Sequence, residues 1–244
     1  MYLLLVPAGV VAGITGSVAG LASLVSYPAL LALGLPPVIA NVSNTVALVF
    51  GGIGAVSVSR VELAGQARRM VPLALATISG GIIGGLLLMM APAASFAYIV
   101  PWLIAGASAA VLLPRRVRPS TPNRLKKPLL YVAAMIIGVY GGYFGAASGV
   151  LLLALMLAMT DDTLAQIAAA RNLLLGLANG VASVVFIFYG SVRWLAAIPL
   201  AVGFLIGGRI GPVITRKVPA APLRFAIAVA GFGLAIDLAW RAYR

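Results

Sequence analysis

Apolar stretches longer than any soluble helix or strand requires run the length of this chain, separated by short polar or basic segments. Runs at 37–59, 70–91, 94–113, 163–188, 194–215 and 220–240 each reach the roughly 20 residues that cross a hydrocarbon core. They lack the alternation of barrel strands, so membrane-spanning helices are predicted. Two further stretches, 2–34 and 129–160, are too long. As one straight helix each would measure about 50 Å against a hydrocarbon core of about 30 Å. They must tilt steeply, break, or turn back.

The pattern occurs twice. "GVVAGITGSVAG" at 9–20 matches "GVYGGYFGAASG" at 138–149, laying Gly9, Gly13, Gly16 and Gly20 on Gly138, Gly142, Gly145 and Gly149. Asn44 and Gly52 fall on Asn172 and Gly180, and "VPLALATISGGIIG" at 71–84 falls on "IPLAVGFLIGGRIG" at 198–211. Several blocks in one order, with nearly constant offset, mark an internal repeat. Each half reads as an overlong Gly-punctuated segment followed by three spans. The predicted organisation is therefore a first membrane repeat at 1–113, a basic linker at 114–128 and a second repeat at 129–244. The fold class is all-α and polytopic.

Composition agrees: the chain is 63% hydrophobic and 9% charged, outside the range of soluble domains. The net charge of +13 suggests nucleic acid until its placement is considered. The basic residues sit between apolar runs, chiefly in "PRRVRPSTPNRLKKP" and around Arg60, Arg68 and Arg69, where cytoplasmic retention of Lys and Arg accounts for them. No nucleic-acid partner is expected; the lipid bilayer is. The same rule makes those two loops cytoplasmic. It gives an equal charge excess whether the long segments cross once or return as hairpins. The hairpin alternative inverts one half relative to the other, the usual design of secondary carriers, and is preferred on that ground. The opening "MYLLLVPAGVVAGITG" lacks a basic n-region and is expected to be mature protein. With no His and no Cys, thiolate, haem and common zinc chemistry are excluded. No cofactor and no enzymatic activity are expected.

The glycine blocks admit two explanations. Small residues let helices pack closely, or they let a helix break at membrane depth so that freed amides face an anion. One block per half, inside the two overlong segments, favours the break. Candidate ligands there are Gly16, Ser17, Gly145 and Ser148. Asn172, Gly176, Asn179 and Ser183 share one helical face, and Asn41, Asn44, Thr45 and Gly52 form a comparable face in the first half. Intramembrane amides often only join helices, but two such stripes flanking two breaks suggest a shared polar cavity. Arg171 lies about 13 Å into its span, too deep for easy snorkelling. A guanidinium at that depth costs about 3 kcal/mol unless it meets a cavity or a partner. Asp161 and Asp162 are the nearest carboxylates in sequence and would pair with it if that helix begins early; otherwise its fork of donors suits a substrate oxyanion. Arg209, in "GGRIGP", is a second-rank candidate able to snorkel.

At these residues the chain resembles the TauE/SafE sulfite-exporter family, also called the toluene-sulfonate uptake permeases. The resemblance rests on "GVVAGITGSVAG…YPALLALGLPPVIANVSNTVALVFGGIGAV" and "GGYFGAASGVLLLALM…ARNLLLGLANGVASVVFIFYGSVRW" and covers nearly the whole chain. The sequence departs from the family's glycine run at "SVAGLAS", which moves the weight of the expected site to Gly145, Ser148, Arg171 and Asn172. The resemblance implies a two-halved carrier in a prokaryotic cytoplasmic membrane, moving sulfite, sulfonates or similar organosulfur anions. Export is expected, because an inside-negative potential drives anions outward. Na+ or H+ coupling, a homo-oligomer, an anion channel and a membrane scaffold or assembly subunit stay open as alternatives.

Overall fold

The computed structural model describes residues 2–112, 126–160, 162–215 and 221–243, and every regular element among them is helical. The predicted linker lies outside the described residues as far as 125; its last three residues open a helix. A short 3-10 turn leads into α1 (Leu5–Ala19), followed by α2 (Ala22–Ala32), α3 (Pro37–Val58), α4 (Arg60–Leu63), α5 (Ala67–Met90) and α6 (Ala93–Leu112). The second half holds α7 (Lys126–Tyr143), α8 (Ser148–Met159), α9 (Leu164–Tyr189), α10 (Trp194–Thr215) and α11 (Ala221–Tyr243). Six helices among the described residues are long and apolar enough to cross a membrane.

Local chemistry sets several of these boundaries. Pro36 and Pro37 end the preceding turn and open α3, where a missing amide costs nothing. Thr163 and Gln166 form a capping box: Gln166 N donates to Thr163 Oγ1 at 3.3 Å, and Thr163 N donates to Gln166 Oε1 at 3.0 Å. This fixes the start of α9 and hence the depth of Arg171. Asp162, just before the cap, accepts from Arg69 at 2.7 Å and so joins the start of α5 to the start of α9. Its expected availability to Arg171 is thereby redirected to Arg69; Asp161 lies outside the described residues.

Both overlong segments are broken, and the register of close approaches gives their directions. A Cβ on Gly9 would meet Leu200 O at 2.5 Å, and one on Gly13 would meet Gly208 N at 2.8 Å. Residue numbers rise together, so α1 and α10 run the same way. Arg193 N donates to Ser43 Oγ at 2.9 Å, while Gly54 meets Leu205 and Gly208, so α3 also runs with α10. Since α1 and α3 share a direction, α2 carries the chain back between them. Asn44 with Ser23 and Tyr27 with Pro37 confirm that α2 and α3 are antiparallel. The segment 2–34 therefore doubles back.

The second half repeats this on its own partners. Gly80 faces Met135 and Gly138, Gly84 faces Val139 and Tyr143, Gly81 faces Ala178 and Gly85 faces Ala182, so α5, α7 and α9 share one direction. Helices α3 and α9 oppose one another: Ser43 meets Arg193, four residues beyond the end of α9, whereas Gly52 meets Gly176 well inside it. These opposed directions are those an inverted pair of halves requires. The broken helix of each half packs on a helix of the other, α1 on α10 and α7 on α5. Helices α6 and α11 pair at the periphery, where Trp102 Nε1 donates to Tyr243 Oη at 2.9 Å and Tyr243 donates to Tyr98 O at 3.1 Å.

Candidate functional site

The two breaks meet each other. Gly20, at φ +80°, takes the left-handed conformation that ends α1. Gly145 at φ +76° and Ala147 at φ +56° separate α7 from α8. The alanine carries left-handed strain of about 1–2 kcal/mol, a common mark of a functional segment. A Cβ on Gly20 would lie 2.6 Å from Gly149 C, and one on Gly149 would lie 2.7 Å from Gly20 Cα. These glycines hold equivalent positions in the two halves, so the backbones touch where the repeats are related.

A broken helix exposes carbonyls at one side of the gap and amides at the other. The carbonyl ends are served by side chains from the opposite half. Arg171 of α9, wholly buried, donates from Nη2 to Gly16 O at 3.1 Å and to Ser17 O, in the last turn of α1. A cation at a helix C-terminus is favoured by the aligned peptide dipoles. Asn172 Oδ1 accepts from the same guanidinium at 2.8 Å. Asn41 of α3 donates from Nδ2 to Tyr143 O, the end of α7, at 2.9 Å. The amide ends are treated differently: neither α2 nor α8 carries a side-chain cap at its start.

Those amide ends border a cavity of about 70 Å³, room for several waters when one needs about 10–15 Å³. The breaks contribute Gly16, Ser17, Gly20, Gly145, Ser148 and Gly149. Arg171, Asn172, Gly176 and Asn179 of α9 form one side, and Leu48, Gly51 and Gly52 of α3 form the other. Among the described residues no carboxylate lines it. Ser148 Oγ donates to Gly145 O at 2.9 Å, so that hydroxyl steadies the break as well as facing the cavity.

Seven sequence candidates thus come together: Gly16, Ser17, Gly145, Ser148, Arg171, Asn172 and Asn179. Four do not border the cavity. Asn44 accepts from Ser26 Oγ at 2.6 Å and donates to Ser23 Oγ at 3.2 Å, joining α3 to α2. Thr45 Oγ1 donates to Asn41 O at 3.0 Å within its own helix, and Asn41 is committed to Tyr143. Arg209 projects from the exposed face of α10. Ser23 and Phe204 are additional wall residues. Ser23 had a signal in its place three residues after Gly20, whereas a phenylalanine in an apolar helix has none.

Several proteins are similar to this chain in sequence. A protein of Sinorhizobium named "Probable membrane transporter protein ORF9" is 24% identical over 95% of this chain and 89% of its own length. "Probable membrane transporter protein YfcA" of Escherichia coli K12 is 28% identical over 82% of this chain and 75% of its own. A Haemophilus influenzae "Probable membrane transporter protein" is 23% identical over 83% and 80%. No solved structure matches. The family described as "Sulfite exporter TauE/SafE" matches residues 5–238, so this chain, a multi-pass protein of the cell membrane, belongs to that family of membrane transporters.

Proposed function

We propose that this transporter exports a small sulfur oxoanion, sulfite or a short sulfonate, through the cavity beside Arg171. The observation that carries the reading is the charge pattern of that cavity: a buried guanidinium, two uncapped helix starts, and no carboxylate among its described walls. Helix N-termini attract anions through aligned dipoles and free amides, and an Arg fork fits planar or tetrahedral oxygens. The small volume suits a compact anion better than a bulky one. Ser17, Ser148, Asn172 and Asn179 supply neutral polar groups around it. Export needs no carboxylate relay, because an inside-negative potential contributes about 2.3 kcal/mol per charge per 100 mV. Coupling to Na+ or H+ is the alternative energy source. The test is a thermal-shift screen of the purified protein with sulfite, thiosulfate, taurine, sulfoacetate and acetate. Stabilisation by sulfur oxoanions supports the substrate class; stabilisation by acetate alone rejects it.

A second reading has its own support. The Arg171 bonds to Gly16 and Ser17 carbonyls are structural, and a scaffold or assembly subunit would need no more from that residue. Saturable anion flux into liposomes holding the purified protein alone separates the two, and open-channel currents would favour an anion channel instead.

A further inference from the structure

A second cavity of about 220 Å³ adjoins the first and shares Ser17 and Asn172 with it as a common wall. Its other walls come from one end of the molecule: Ser59 and Glu62 just after α3, Leu164, Ala165 and Ala168 in the first turns of α9, and Pro212 late in α10. The end of α3, the start of α9 and the end of α10 share a face, by the helix directions above. That face carries Arg60 and Arg68, both exposed, and Arg69, half-buried against Asp162, and basic loops of a multi-pass protein stay in the cytoplasm. Ala165, Ala168 and Ala169 lie at spacings of three and four along α9, so small side chains keep the space open.

Between the first cavity and the opposite face, side chains close the path: a hollow of about 540 Å³ on that face, between the α2–α3 turn, α6 and α11, has Tyr27 as a wall and shares no lining residue with the first cavity. Asn44 holds Ser26 and Ser23, and Asn41 holds Tyr143 O. Tyr27 meets Phe144 edge-on at 5.3 Å, and Phe144 meets Phe96 at 5.9 Å. The offset that carries Asn44 onto Asn172 carries Ala40 onto Ala168 and Asn41 onto Ala169. The sealed positions of one half therefore correspond to the open positions of the other.

We infer that the second cavity, on the basic face, is the route by which the anion reaches Arg171 from the cytoplasm, and that Asn41 and Asn44 form the gate sealing the matching route on the other face. The structure is then a cytoplasm-open state, and opening of the second route requires the Asn44–Ser26 and Asn41–Tyr143 bonds to part. In inverted carriers, the two states exchange the roles of the halves. The inference rests on the cavity being the substrate site, and its test separates the two ideas.

The chain has no native cysteine, so single cysteines report cleanly. Ala168→Cys should react with a membrane-impermeant thiol reagent in inside-out vesicles and about tenfold more slowly in right-side-out cells. Leu164→Cys, exposed at the mouth, confirms folding and sidedness by reacting quickly from the cytoplasm. Ala40→Cys, fully buried, should stay unreactive until Asn44→Ala or Ser26→Ala is added, and then react from outside. Reaction of Ala168→Cys only from outside, or from neither side while Leu164→Cys reacts, overturns the route. An Ala40→Cys that stays silent in both gate variants overturns the gate. Millimolar methanesulfonate, which unlike sulfite does not consume thiol reagents, should slow the Ala168→Cys reaction; cytoplasmic labelling that it leaves unchanged upholds the route and counts against the sulfonate reading alone.

Discussion

Arg171 performs two tasks at once, and its substitutions should separate them. The guanidinium satisfies carbonyls at the end of α1 and borders the cavity. Removing such a donor from a buried site costs about 1–3 kcal/mol, enough to lower thermal stability without unfolding a protein of this size. Arg171→Gln should therefore show a modest fall in melting temperature and at least about a tenfold loss of anion flux, about 1.4 kcal/mol of lost anion stabilisation. Arg171→Lys keeps the charge, loses the fork, and should fall between them. Equal flux in wild type and Arg171→Gln would leave the residue a purely structural role. Glycines differ in the same way. Gly20→Ala forces a side chain into left-handed backbone with Gly149 C 2.6 Å away, so folded protein should be lost on size-exclusion of detergent extracts. Gly34 has φ +82° but open space around it; Gly34→Ala should cost only about 1–2 kcal/mol of strain and preserve flux.

Among the elements, tight helix pairs dominate. Helix α1 approaches α10, and α5 approaches α9, through glycines that leave no space for a methyl group: Gly13 lies against Gly208 N at 2.8 Å and Gly81 against Ala178 O at 2.6 Å, measured from the Cβ each would add. In lipid, such pairs gain close dispersion contact rather than hydrophobic burial. Gly13→Ala and Gly81→Ala should each destabilise by about 1–3 kcal/mol through forced separation. Gly106 and Gly233, with nothing within 4 Å, are the matched controls, and alanine there should leave the melting temperature unchanged or raised. The Arg69–Asp162 bridge joins two helix starts with side chains 40% and 16% exposed. A surface pair of this kind contributes at most about 1 kcal/mol, so Arg69→Ala should alter melting little. A larger effect would mean that the bridge orients α9, and with it Arg171.

For the whole molecule, the crossed partnership of α1 with α10 and α7 with α5 interlocks the halves, so neither half keeps its contacts without the other. On the proposed alternation of access the α2 and α8 arms move relative to α3 and α9; α2 meets α3 through Asn44, Ser23 and Ser26, and α8 meets α9 through an apolar core that includes Leu153, Met156, Ile167 and Leu174. With the proposed anion as substrate, its charge ties this movement to voltage. Sulfite efflux from proteoliposomes should accelerate with an inside-negative potential and slow when its sign is reversed, measured with a potassium gradient and valinomycin. Flux indifferent to that sign, but dependent on a sodium or proton gradient, would replace voltage with ion coupling.

The sequence by itself determined the apolar spans and showed that two segments were too long to cross upright as single helices, because a bilayer permits only backbone that satisfies itself along an apolar run of fixed length. It also marked Arg171 and the glycine breaks, since a buried guanidinium and a broken helix are both costly and therefore informative, while the family resemblance put the weight on Gly145, Ser148, Arg171 and Asn172. It left Asn44 and Asn172 as equals, for the repeat places them at one position. Only the tertiary structure divided them, giving Asn172 to the cavity and Asn44 to Ser23 and Ser26. Charge counting likewise gave no direction to the long segments, as both alternatives leave the same basic excess. The return of α2 became visible only in the register of α1 and α3 against α10, because direction is a property of contacts between distant residues and leaves no trace in a hydropathy pattern.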